Sequence, residues 1–260
     1  MFVYMVEVCM PKFLCVLILL SFLLLLSFGD SGEHKGNRNP KLVVLLGASI
    51  GRAWNVPQLP ERLATSEYIF EYQGSSFDKT NKLRMVLNRE DNRPDAVIIK
   101  ECAAYFPGDL DHYKTKMKEW IAECQEKGVI PIPATVVPVT RLHSYKVFAG
   151  YLLKGRNPLK FGCPFKPNRN NYICEFNDWI REYCESHGLV YLDLEISLCY
   201  RIKNRYLRED LARLDGLHIN SKAYGILDQT LIQTLDKVDW NIQSESTDAP
   251  REMPQGSNHQ

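Results

Sequence analysis

Leu42-Val43-Val44-Leu45-Leu46 runs without a break into Gly47-Ala48-Ser49-Ile50-Gly51. Five apolar residues in succession suit a strand buried on both faces. Such a strand belongs to a parallel sheet covered by helices on both sides. The two glycines allow a tight turn at its end, which presents Ser49. Ligands of open parallel sheets bind at that carboxyl edge.

Moving outward, further strand candidates are Tyr68–Tyr72, Ala96–Lys100, Val129–Ile132 and Leu189–Leu194. Helical spacing of apolar residues fills the gaps. Asp109 to Lys127 carries Leu110, Tyr113, Met117, Trp120, Ile121 and Cys124, and Gly128 stops it. Asn171 to His187 carries Ile173, Phe176, Ile180 and Cys184 before Gly188. A last helix begins at Asn220 or Ser221 as cap and runs through Ala223, Leu227, Leu231 and Leu235. Strand–helix alternation predicts an α/β class with a five-stranded parallel sheet. Residues 138–168, rich in Pro, Gly, Arg and aromatics, break the rhythm and read as an insertion over the substrate face.

The ends of the 260-residue chain read differently. Phe13 to Phe28 is apolar over 16 residues, the length of a secretory h-region. Residues 1–29 are expected to be a signal peptide or, if uncleaved, an N-terminal membrane anchor, and 13–28 would be its membrane-embedded part. The polar stretch 30–40 reads as a linker, 41–240 as one domain, and 241–260 as a disordered tail. This places the domain outside the cytoplasm: periplasmic, cell-surface or secreted. A net charge of +1 with interspersed acids and bases argues against a nucleic-acid partner. Six cysteines follow the leader, and Cys163 with Cys174 brackets a Pro- and Asn-rich loop as the best candidate pair, against free buried thiols. There is no CxxC, so zinc of the usual spacing is not expected. Oligomeric state is not legible.

The Ser49 turn alone suits two chemistries. It resembles the start of a dinucleotide loop, with Glu71 at the end of the second strand placed to hold a ribose. It also suits a nucleophile. Asp215-Gly216-Leu217-His218-Ile219-Asn220 decides between them. An acid and a histidine three apart, in the loop before the last helix, complete a Ser, Asp, His order. The carboxylate holds one ring nitrogen so that the other accepts the serine proton. A dehydrogenase is disfavoured: Ala53 stands at the third glycine position, and no tyrosine has a lysine four residues later.

These two blocks resemble those of the SGNH hydrolases, the GDSL-type esterases and lipases, over residues 42 to 236. Ile219 replaces the proline common in the last block. The resemblance implies a flavodoxin-like three-layer α/β/α sandwich, Ser49 as nucleophile, His218 as base and Asp215 as its orienter. It implies an oxyanion hole of the Ser49 and Gly74 N–H groups, and no metal or cofactor. After the third strand the family has a Gly-x-Asn-Asp block whose asparagine is a third donor; here the segment is Lys100-Glu101-Cys102-Ala103-Ala104-Tyr105, with Ala103 at the asparagine position. The expected function is an exported serine esterase acting on small-molecule, glycan or lipid esters. The alternatives are a catalytically impaired module of that fold binding glycan or protein, and a nucleotide-dependent oxidoreductase. His112 and His143 read as isolated surface residues. Tyr145, Phe148, Tyr151, Phe161 and Phe165 either line a sugar or acyl pocket or form the insertion's own core. Arg52 and Trp54 are candidates for the pocket mouth.

Overall fold

The computed structural model describes residues 39–201 and 204–241. The leader or anchor, the linker up to 38 and the tail from 242 lie outside the described residues. Among the described residues no helix is long and apolar enough to cross a membrane.

The decisive stretch is strand β1 (Lys41–Gly47), whose interior is wholly buried. It lies between β2 (Tyr68–Gly74) and β3 (Ala96–Lys100), with β4 (Ile130–Ala134) outermost. All pairings are parallel, in the order β2-β1-β3-β4. Alternate residues of β1 serve two cores. Val43 and Leu45 pack with α1 (Ser49–Trp54) and α8 (Ser221–Leu235) on one face. Val44 and Leu46 pack with α3 (Thr80–Leu87), α4 (Leu110–Glu126) and α6 (Arg169–Ser186) on the other. A short α2 (Leu59–Leu63) joins α1 to β2. Apolar residues on both faces of one strand therefore produce helices on both sides of the sheet.

Among the described residues the sheet has four strands, not the five expected. Leu189–Leu194 forms one parallel bridge, Leu192 to Ala134, and no strand. The reason lies in β4. Ile130 N–H donates to Asp95 of the β3 side, whereas Thr135 N–H donates outward to Leu192 and Pro133 O accepts from Leu192 N–H. Odd-numbered residues of β4 thus face the outer edge, and two of them, Pro131 and Pro133, have no N–H to offer. Past Leu192 the chain turns into α7 (Leu194–Leu198), whose first turn is capped by the Asp193 carboxylate.

The three expected helices are present as α4, α6 and α8. Asp109 and Asn220 cap α4 and α8 through their side chains, and Asn168 forms a capping box on α6, which begins at Arg169, two residues upstream of the expected start. Gly128 and Gly188, the expected stops, have φ of 66° and 64°. Residues 138–168 contain a helix that sequence patterning missed, α5 (Arg141–Leu153), because its apolar residues do not segregate to one buried face. A small antiparallel pair, β5 (Cys199–Arg201) and β6 (Asn204–Leu207), completes the described chain.

Candidate active site

Ser49 is the first residue of α1, immediately past the carboxyl end of β1. The turn that carries it is pinned from below. Tyr72 Oη lies 3.0 Å from Gly47 O and 3.2 Å from Ala48 O, so its one proton is shared between two carbonyls of the turn. The same ring explains Gly51: a β-carbon there would stand 3.1 Å from Tyr72 Cε2. Ala48, Ser49, Arg52, Tyr72, Gly74, Ser75 and Ser76 line an open cleft of ≈ 410 Å³.

Gly74 ends β2 directly opposite Gly47. Ser75 N–H donates to Gly47 O, so by strand alternation the N–H of Gly74 points away from β1 and is left out of that ladder. The loop after Gly74 is tied down by a buried ion pair. Lys79 Nζ lies 2.7 Å from Glu101 Oε1, with both side chains almost wholly buried. Lys79 also donates to Phe77 O at 3.2 Å and sits 5.0 Å above the Trp120 ring. Burial depresses the lysine's pKa and raises that of Glu101, while the pair's mutual attraction opposes both shifts. Lys100, fully buried, donates to Glu101 O at 2.9 Å. Ala103 is buried in the core at the start of a 3-10 turn, and the exposed residue of that turn is Ala104. Either way, no asparagine stands at the end of β3.

The acid and histidine share one loop. Asp215 Oδ1 accepts the N–H groups of Leu217 and His218, both at 2.9 Å. Its Oδ2 lies 2.6 Å from His218 Nδ1. One carboxylate therefore closes the turn and holds the ring, which is why a spacing of three residues suffices. Desolvation works to raise the Asp215 pKa, but the His218 and Leu217 N–H bonds and the ring bond hold it down at about 2. With Nδ1–H donating to Asp215, Nε2 keeps a lone pair. It faces Ser49 Oγ at 3.2 Å, across 169 residues of sequence.

A second histidine, expected at the surface, is buried behind this loop. His143 of α5 is 8% exposed. Its Nδ1 lies 2.8 Å from Asp215 O, and its Nε2 lies 3.0 Å from Arg169 Nη1. Carbonyl and guanidinium together require the neutral ring with the proton on Nδ1. Thr140 N–H donates to Gly216 O at 2.9 Å, and Lys146 Nζ donates to Leu214 O. The first turns of α5 thus grip three successive carbonyls, those of Leu214, Asp215 and Gly216. A lone histidine among apolar residues carries no sequence signal for this, because its partners, the Asp215 carbonyl and the Arg169 guanidinium, lie 72 and 26 residues away.

Burial pushes the His143 pKa below 6.5; the Asp215 carbonyl opposes this shift, and the charges of Arg169 and Lys146 add to it. The folded pKa is depressed, so the stabilisation is present above 6.5 and is lost as pH falls below that value. Urea unfolding above and below 6.5 is expected to show this loss. His143→Asn keeps a donor for Asp215 O and is expected to flatten that part of the pH dependence. An unchanged pH dependence in the variant would assign the titration to another group.

No family model matches the chain, and no curated protein does. Solved structures do. A GDSL-like lipase from Bacteroides thetaiotaomicron superimposes with a TM-score of 0.55 at 15% identity, covering 82% of this chain and 96% of that one. An acetyl xylan esterase gives 0.54 at 16% identity, with 75% and 99% covered. The psychrotrophic esterase EstA from Pseudoalteromonas sp., in a structure inhibited by monoethylphosphonate, gives 0.52 at 14%, with 76% and 97% covered. The chain has the SGNH-hydrolase fold.

Within that SGNH fold, the remaining expectations sort plainly. Arg52 lines the cleft with Ser49. Trp54 does not: it is buried, and its Nε1 donates to Asp228 Oδ1 at 2.7 Å. Glu71 is held by Arg89 at 2.7 Å. His112 is exposed, as expected. Cys163 and Cys174 are both free thiols, which overturns the expected pairing. Cys163 donates to Lys160 O at 3.0 Å, and Cys174 lies 3.5 Å from Glu195 Oε1. Tyr145 and Phe165 are exposed, and Phe148 and Tyr151 are half-buried.

Proposed function

We propose that this chain is a serine hydrolase of carboxylic esters. The carrying observation is the continuous path from Asp215 Oδ2 through His218 to Ser49 Oγ, with contacts of 2.6 and 3.2 Å. Ser49 Oγ attacks the ester carbonyl while His218 Nε2 takes its proton. Asp215, anionic at any pH well above its depressed pKa of about 2, stabilises the resulting imidazolium. His218 returns the proton to the leaving alcohol, and water then hydrolyses the acyl-enzyme with His218 again as base. The N–H groups of Ser49 and Gly74 receive the oxyanion. No step calls on a metal or cofactor. The likeness to an acetyl xylan esterase and a GDSL-like lipase supports small acyl groups on glycans or lipids as substrates.

A fluorophosphonate probe tests this reading. It is expected to label Ser49 of the wild type and neither Ser49→Ala nor His218→Ala. An unlabelled wild type that also leaves p-nitrophenyl acetate intact would sink it.

The alanines at 103 and 104 favour a second reading, a binding module with a weakened oxyanion hole. Ala104, the exposed one, is the place to restore a donor. One added hydrogen bond of about 1.4 kcal/mol in the transition state raises kcat about tenfold. Ala104→Asn is therefore expected to accelerate ester hydrolysis by that amount. An unchanged or lower rate would mean that two backbone donors are the complete hole.

A further inference from the structure

The insertion over residues 138–168 has a surface that the triad does not use. Its helix α5 exposes Leu142, Tyr145, Ala149 and Leu152 at intervals of three, four and three residues. That is one stripe along a helix, and it faces solvent. Leu142 and Tyr145 are each 49% exposed, Leu152 60% and the adjacent Leu153 87%. Phe165, 59% exposed, meets Phe148 edge-on at 6.3 Å beside the stripe. The stripe continues to the reactive loop: Lys146 Nζ bonds Leu214 O, and Leu214, 93% exposed, immediately precedes Asp215.

Charge follows the same pattern. Arg141, Lys146, Lys154, Arg156, Lys160 and Lys166 are all exposed. No aspartate or glutamate occurs between Glu126 and Glu175. The whole chain is nearly neutral at +1, so its positive charge is concentrated here. A second copy of the chain would bring cation against cation. A soluble polyanion would match the cations and leave the leucines in water. A surface that takes both is an anionic bilayer, whose acyl boundary accepts apolar side chains while its headgroups attract lysine and arginine.

We propose that α5 and the loop after it dock on an anionic lipid surface, so that Ser49 works on esters presented at that surface. The substrate half of this statement rests on the ester-hydrolase reading; the docking half does not.

The test is hydrogen–deuterium exchange of the full chain with vesicles. The apolar Phe13–Phe28 run is itself a vesicle-binding candidate, so the readout is protection localised to α5, not binding. Vesicles of phosphatidylcholine mixed with phosphatidylglycerol are expected to slow exchange over residues 141–153, and pure phosphatidylcholine is not. High salt is expected to weaken the effect. Lys154→Gln with Arg156→Gln removes two cations and is expected to lower the docking equilibrium about 30-fold. Leu152→Ser with Leu153→Ser is expected to abolish the protection. Both double variants are expected to keep wild-type hydrolysis of p-nitrophenyl acetate, since neither pair touches the triad. Four results would each overturn docking: unchanged exchange on anionic vesicles, equal protection by heparin without lipid, protection that rises with protein concentration alone, or full protection in the leucine variant. Each can occur with ester hydrolysis intact, so docking and catalysis fail separately.

Discussion

Ser49→Ala is expected to lower kcat toward p-nitrophenyl acetate by about 10⁶-fold while the melting temperature stays close to that of the wild type. Its hydroxyl meets His218 Nε2 at 3.2 Å and has no structural burden beyond that contact. His218→Ala is expected to cost about as much, because a hydroxyl without its base is a poor nucleophile. The double variant should then be no slower than either single one, since the pair acts as a unit. Additive losses would show that serine and histidine work independently, which the proposed mechanism does not allow. Asp215→Asn refines the test. The asparagine Oδ1 still accepts from Leu217 and His218, so the loop survives. Its amide, however, donates to His218 Nδ1 and leaves the proton on Nε2, facing Ser49 in the wrong tautomer. That error costs about 10⁴-fold in kcat.

Gly216→Ala is expected to be the most damaging change outside the triad. Gly216 has φ of 67°, a region that costs a side-chain-bearing residue about 1–2 kcal/mol. A β-carbon there would collide with Thr140 Oγ1 and stand 3.0 Å from His143 Cβ. Neither neighbour can yield freely, because Thr140 N–H holds Gly216 O and His143 holds Asp215 O. Strain and overpacking together are expected to cost about 3 kcal/mol, or roughly 10 °C in melting temperature. The loop that moves in response carries both Asp215 and His218. A displacement near 1 Å at reacting groups lowers kcat about 10²-fold. Adding Thr140→Ala removes the colliding oxygen and is expected to recover much of the activity. It should recover less of the stability, because Thr140 Oγ1 also caps α5 by accepting His143 N–H at 3.1 Å. A Gly216→Ala protein with wild-type kcat would show that the grip of α5 on this loop does not matter.

The parts of the fold that were legible in sequence are those with local causes. β1 announced itself because a strand covered on both faces has to be apolar at every position. The major helices α4, α6 and α8 could be read from apolar spacing, and their ends from Asp109, Asn220, Gly128 and Gly188, since capping is settled within a few residues. The fifth strand was misjudged because Leu189–Leu194 was read on its own apolar content. Whether it pairs depends on Pro131 and Pro133 of its neighbour, some sixty residues earlier. Helix α5 carries no such signal because its apolar residues lie on both its half-buried and its exposed sides, so no single side stands out in the sequence.

The site divides along the same line. Residue types and spacing alone named Ser49, Asp215 and His218 as candidates, since an Asp-x-x-His turn orients its own histidine through bonds made inside one loop. Tertiary structure decided everything that joins distant segments. It brought His218 Nε2 to Ser49 Oγ across 169 residues. It turned Ala103 into the core, left the two candidate cysteines unpaired, and set His143 on the carbonyl of Asp215. The sequence determines what each turn can do because the groups involved are covalently near one another. Which turns meet depends on how two apolar faces of one sheet are covered, and that is settled only when the whole chain packs.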